Sequence, residues 1–324
     1  MSYRPFENRP SSLGPARYLQ RLSQALPGAR NWAGGRGSRE FWPDGAKLVV
    51  SISLQFESGE APGRRAGNAF SQSGAGNSDL SRERLYEYEF KEGIPRLLDV
   101  FQRRRVQVTS HMETRAVERN PELAREIVER GHEAAAHGGV SEQSITTEKE
   151  RACYAENVER IKRVTGTRPI GFHTLGRQAT PHTLKILREF GFLYHVDDVS
   201  RDEPFLVSVQ SKPFVVMPCT PGMNDLAAYP PHSFTSEQYA SELRNEFEML
   251  YTEGEGRRRM MSISARDPSA GRPAHAKVLE ELIIYAQRRP GVVFMRKDDI
   301  ARFALVSAIT PREEELTQGS QEAA

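Results

Sequence analysis

Cysteine is scarce: Cys153 and Cys219 are the only two in 324 residues. Neither belongs to a CxxC pair, so neither a thiolate metal centre nor a disulfide framework is expected. Long apolar runs are missing too. No stretch approaches the roughly 20 residues that a membrane-spanning helix requires, and no membrane partner is expected. The opening residues, MSYRPFENRPSS, lack the apolar core of a secretory leader. Together these absences point to a cytoplasmic protein in reducing surroundings. An excess of one charge is lacking as well: Lys and Arg number 45, Asp and Glu 43. That balance gives no electrostatic case for nucleic acid as a partner. Two local basic runs, Arg103, Arg104 and Arg105, then Arg257, Arg258 and Arg259, fall at expected helix and turn ends and read as solvated.

What the chain does hold is organised around residues 47–60, KLVVSISLQFESGE. Leu48, Val49, Val50, Ile52 and Leu54 make an apolar, β-branched run that reads as a buried strand. It ends in Gln55, Glu57, Ser58 and Glu60. Parallel α/β folds place their chemistry at the C-terminal ends of strands, which makes Glu57 the first catalytic candidate. Residues 61–81 are rich in Gly, Ser and Asn and read as a long loop covering that strand end. A helical face follows at Phe90, Ile94, Leu97, Leu98 and Phe101. Beyond it, strand and helix patterns alternate down to a last strand at 292–295. Thr147 with Glu150, and Thr235 with Gln238, have the spacing of helix-capping boxes. Six or seven such alternations argue for an α/β chain with a parallel sheet.

Polar residues gather in phase after these strands: Glu57, His111, His137, His173 with Arg177, Asp197, Asn224 with Asp225, and Arg266. In a barrel, those positions share one face. His182 and His232 read as structural or solvated. Residues 1–40 hold too little apolar content for a core of their own. They are expected to form an arm, mobile or laid across a neighbouring subunit of a homo-dimer or homo-tetramer. A barrel is expected over 41–305, and an acidic, disordered tail over 306–324.

Five segments together resemble the polysaccharide deacetylase (NodB-homology) family, above all its allantoinase-like and cyclic-imide-hydrolase-like branch. They are WPDGAKLVVSISLQFESGE, ERNPELAREIVERGHEAAAHG, TGTRPIGFHTLGRQATPHTLKIL, RMMSISARDPSAGRP and VVFMRKDDIARF. The resemblance implies a distorted (β/α) barrel of about seven parallel strands and hydrolysis of a carbon–nitrogen bond other than a peptide bond. In the metal-dependent branch an acidic pair follows the first strand, and a His-x-x-x-His motif supplies two imidazole ligands. Here Glu57 and His137 match the first member of each motif, but Ser58 and Ser141 stand at the second. A zinc site needs about three protein ligands, so no metal and no other cofactor is expected. The allantoinase-like branch is expected to work without one. Where the family has a His after its late strand, this chain has Arg266. A guanidinium stays protonated and cannot shuttle a proton, but it can hold a carboxylate or an oxyanion. The expected catalytic set is therefore Glu57, His137, Arg177 and Arg266. His111, His173, Asn224 and Asp225 are expected to contact a small-molecule substrate. A catalytically inactive relative that binds a ligand or partner is the alternative.

Overall fold

The computed structural model describes residues 41–57, 87–138, 146–174, 179–220, 235–265 and 270–313. The expected arm over 1–40, the covering loop over 61–81 and the chain from 314 onward lie outside the described residues.

The first strand, β1 (Leu48–Phe56), is buried along its whole length. Its side chains alternate between two environments, as the pleat of a strand requires. Leu48, Val50, Ile52, Leu54 and Phe56 join the apolar layer between sheet and helices. Val49 faces a second, smaller cluster with Trp42, Tyr194, Met260 and Ile300. Ser51, Ser53 and Gln55 continue that second face. Following β1 come β2 (Thr109–Glu113), β3 (Glu133–Gly138), β4 (Gly171–Thr174), β5 (Tyr194–His195), β6 (Phe205–Val209), β7 (Lys212–Val216), β8 (Arg259–Ala265), β9 (Val292–Phe294) and β10 (Arg312–Glu313). Their order in the sheet is β10-β6-β7-β5-β4-β3-β2-β1-β8, with β9 paired to β1. β9 takes the first three residues of β1 and β2 takes the last four, while β8 runs beside seven. All these pairs are parallel except β6 with β7.

That hairpin is not anticipated in the sequence reading, which begins a strand only at 215. Its turn residues Gln210 and Ser211 have φ of 50° and 61°, the left-handed pair that a two-residue hairpin turn demands. The alternating run FLVSVQSKPFVV carries the signal.

Among the described residues, seven helices cover the outer face: α1 (Ile94–Arg104), α2 (Thr114–Arg119), α3 (Pro121–Glu129), α4 (Thr147–Thr165), α5 (Thr183–Glu189), α6 (Ser236–Glu253) and α7 (Pro273–Gln287), while α8 (Lys297–Val306) packs into the second cluster through Ile300, Ala301, Phe303 and Ala304. The capping box at Thr235 and Gln238 is present, with both reciprocal bonds formed. The cap of α4 is Thr146, whose side chain accepts from the Lys149 amide, one residue before the expected Thr147. His182 is exposed, as expected.

Between β8 and β6, at the gap in the sheet, one arginine does most of the joining. The Met260 amide donates to Asp202 O at 2.8 Å. Arg258, read from the sequence as solvated, is 3% exposed. Its guanidinium donates to Glu203 at 2.9 Å, to Pro204 O at 2.7 Å and to Thr310 Oγ1 at 3.0 Å. It also lies 5.4 Å from the centre of the Trp42 ring. Arg259 beside it is buried as well. Residues 306–313, assigned to the tail from sequence, run along this join: Thr310 is buried, and Arg312 and Glu313 pair with Leu206 and Val207. Gly171 serves the interior. A Cβ there would meet the Tyr194 ring at 2.0 Å, and Tyr194 reaches past it to donate to Glu133 at 2.8 Å.

Candidate functional site

Strand register assembles the site. Gln55 on β1 lies opposite His111 on β2. Glu113 lies opposite His137 on β3, and His137 opposite His173 on β4. Because alternate residues of a strand face one way, Ser53, Gln55 and Glu57 rise along the polar face of β1 toward its C-terminal end.

Glu57 and His137 meet there, both nearly buried, with His137 Nε2 at 3.1 Å from Glu57 Oε1. The approach is not that of an aligned hydrogen bond, and it is an ion pair only when the ring is protonated. His137 Nδ1 lies 2.9 Å from the His173 carbonyl oxygen. A carbonyl only accepts, so Nδ1 carries a proton. A neutral ring would then turn a bare Nε2 lone pair toward the carboxylate. One further proton, shared by the pair, converts that repulsion into an imidazolium facing a carboxylate. The arrangement holds an acid and a base in contact at a strand end.

His173 stacks on His137, with ring centroids 4.6 Å apart, and meets His111 edge-on at 5.2 Å. His173 Nδ1 is 3.3 Å from Gln55 Oε1, and the Gln55 amide donates to Ser264 Oγ at 3.2 Å. His111 is fully buried, with Nε2 at 3.2 Å from Ser53 Oγ. Burial first, then the neighbouring His173 and Lys297, push its pKa well below the usual imidazole range. His111 is therefore neutral and offers hydrogen bonds without charge. At the end of β5, Asp197 sits beside His195 at 3.4 Å and accepts from the Thr174 amide at 2.9 Å. Burial opposes its ionisation, but His195, the nearby His173 and the Thr174 hydroxyl hold its pKa down to about 2.

The structure thus brings Glu57, His137, His111 and His173 together. Arg177, Arg266, Asn224 and Asp225 lie outside the described residues, as do Ser58 and Ser141. Sequence reasoning overlooked Gln55, Ser53, Thr174 and His195 as site residues. Their signal was the period-two polar step inside the apolar run, S-I-S-L-Q-F-E, and the repeat of that step in H-V-D. Among the described residues, no three His, Cys, Asp or Glu converge as a zinc site would need.

Known proteins resemble the chain in sequence and in fold. The family model described as Polysaccharide deacetylase matches residues 85–195. A solved structure of a probable polysaccharide deacetylase from Pseudomonas aeruginosa PAO1 is 34% identical, with a TM-score of 0.74 over 84% of this chain and 96% of that one. The structure of PuuE allantoinase is 28% identical, with a TM-score of 0.75 over 87% of this chain and 99% of that one. The peptidoglycan deacetylase of Helicobacter pylori (strain ATCC 700392 / 26695) is 32% identical over 120 residues, 36% of this chain and 41% of that protein.

Proposed function

The chain belongs to the polysaccharide deacetylase family, a family of carbon–nitrogen hydrolases, and from that premise we propose that it acts without a metal on a small cyclic amide or imide, or on an N-acyl group. The contact between Glu57 and His137 carries this reading. Amide hydrolysis needs a base for water, a stabiliser for the oxyanion and an acid for the leaving nitrogen. In the proposed cycle Glu57 takes a proton from water as the water oxygen bonds to the carbonyl carbon. The carbonyl electron pair moves onto oxygen, where Arg177 or Arg266 would meet the negative charge. The C–N bond then breaks as His137 gives its Nε2 proton to nitrogen. Across 3.1 Å, the proton held by Glu57 returns to His137 and resets the pair. His111 and His173 line the same space, and with Asn224 and Asp225 they are assigned to substrate.

The test is a panel of hydantoins, cyclic imides, allantoin and N-acetylated amino sugars, assayed before and after chelation, with elemental analysis of the protein. The reading expects turnover of at least one class, unchanged by chelator, and far less than one divalent ion per chain. Stoichiometric zinc, cobalt or nickel with chelator-sensitive turnover would overturn the metal-free part. No turnover, together with tight binding of one compound in a thermal-shift assay, would favour the inactive, ligand-binding relative.

No helix among the described residues is long and apolar enough to cross a membrane. We place the protein in the cytoplasm as a homo-dimer or homo-tetramer joined through residues 1–40, whose apolar side chains Tyr3, Phe6, Tyr18, Leu19, Leu22 and Leu26 call for a covering surface. Deleting 1–40 should lower the mass seen in light scattering; an unchanged mass, or a wild-type monomer, would remove that idea.

A further inference from the structure

One peptide group lies between two parts of the site. The unit joining His173 to Thr174 offers its carbonyl oxygen to His137 Nδ1 at 2.9 Å. The same unit donates its N–H to Asp197 Oδ1, also at 2.9 Å. The Thr174 hydroxyl donates to the other oxygen of Asp197. A line of hydrogen bonds therefore runs from Asp197 through the peptide to His137, whose other ring nitrogen faces Glu57. Asp197 is ionised, and it sits in a nearly closed setting where water screens little. An anion accepting from a peptide N–H draws electron density toward the carbonyl oxygen of that peptide. The next bond in the series is strengthened in turn.

We propose that Asp197 is a positioning residue of the catalytic pair, acting on His137 through the His173–Thr174 peptide. It does the work of a carboxylate that orients a catalytic imidazole, with an amide group interposed. One consequence follows for His137: its Nδ1 is kept protonated, which leaves Nε2 as the nitrogen that exchanges a proton with Glu57. His195 and His173 are the titratable groups beside Asp197. Glu57 faces the far side of His137.

This inference rests on Glu57 and His137 being the working pair, yet its first test needs no turnover. In ¹⁵N spectra of the full-length protein with labelled imidazoles, His137 Nδ1 should carry a proton at pH 7 that exchanges slowly with solvent. Asp197→Asn keeps the shape and removes the charge, and should speed that exchange at least about tenfold. On a substrate identified by the panel above, it should lower kcat by roughly tenfold to a hundredfold and leave KM within about twofold, the pattern of an interaction felt in the transition state. Thr174→Val removes the hydroxyl bond but keeps the peptide N–H, and should move both readouts less than Asp197→Asn does. A wild-type spectrum with no proton on His137 Nδ1 would overturn the relay without any variant. Unchanged exchange and kcat in Asp197→Asn, or equal losses in Thr174→Val, would overturn it as well. Turnover that survives Glu57→Gln would defeat the proposed function while leaving the exchange measurement to decide the relay.

Discussion

Lys297 is the first residue of α8 and enters the barrel interior with 0% of its surface exposed. Its ammonium donates to Ser51 Oγ at 3.1 Å and Ser262 Oγ at 3.2 Å, and among the described residues no carboxylate pairs with it. Burial lowers its pKa from 10.5 to about 8, against the pull of Cys219 and Glu133. The unfolded chain holds this proton up to pH 10.5 and the folded chain only to about 8. Between those values the unfolded state binds more protons, so stability rises with pH. At neutral pH, where Lys297 is charged in both states, that lowering corresponds to a cost of about 3 kcal/mol. Lys297→Met removes the charge and nearly conserves the volume. The variant is therefore expected to equal or exceed the wild type in stability at pH 7, less what Ser51 and Ser262 lose. The sharper expectation is differential. Between pH 7 and 10 the wild type should gain roughly 2–3 kcal/mol relative to the variant. Urea denaturation of both proteins at unit steps of pH measures this directly. Two curves that run parallel from pH 7 to 10 would refute the argument.

The remaining predictions concern two other buried groups. His132 accepts the Val108 amide at Nδ1, 3.1 Å away, and burial, with Arg296 and Arg130 nearby, lowers its pKa from 6.5 to about 4. The unfolded chain thus takes up this proton first as pH falls. Unfolding free energy should drop by about 2 kcal/mol between pH 7 and 5, and a His132→Gln variant should lack that slope in the same urea assay. Arg258→Met removes the guanidinium that joins β8 to β6 and leaves Glu203 without its partner. It should cost about 3 kcal/mol, the low end for a broken buried pair because Glu203 keeps some exposure; a loss well under 1 kcal/mol would show that the join holds without it.

Local pattern carried the strand–helix alternation because each element buries one face, and burial leaves a period in the chain. β1 was readable from its apolar run, and Glu57 from its place at the end of that run. The same run also held its polar face, Ser51, Ser53 and Gln55, legible at period two once the strand is taken to have a polar inner side. His137 and His173 were named from their places after strands, and His137 also from the family motif. Their stacking depends on the β3–β4 register, which connects residues 36 apart and is written in no local spacing. Lys297 reads as an ordinary charged residue in a helix start, since nothing nearby in sequence reveals that α8 points it into the barrel. The link from Asp197 to His137 passes through a backbone group, and backbone groups leave no trace in residue types. The solvated reading of Arg258 failed for a related reason: its partners Glu203, Pro204 and Thr310 are more than 50 residues away.

The central claim is that Glu57 activates water, and Glu57→Gln tests it most directly. Gln fills the same space at the end of β1 but cannot accept the proton. On whichever amide, imide or N-acyl compound the wild type turns over, kcat should fall by ~10²–10⁴, the usual contribution of a general base. Binding of that compound, read by thermal shift, should persist. A Glu57→Gln enzyme that turns over as fast as the wild type would contradict the account.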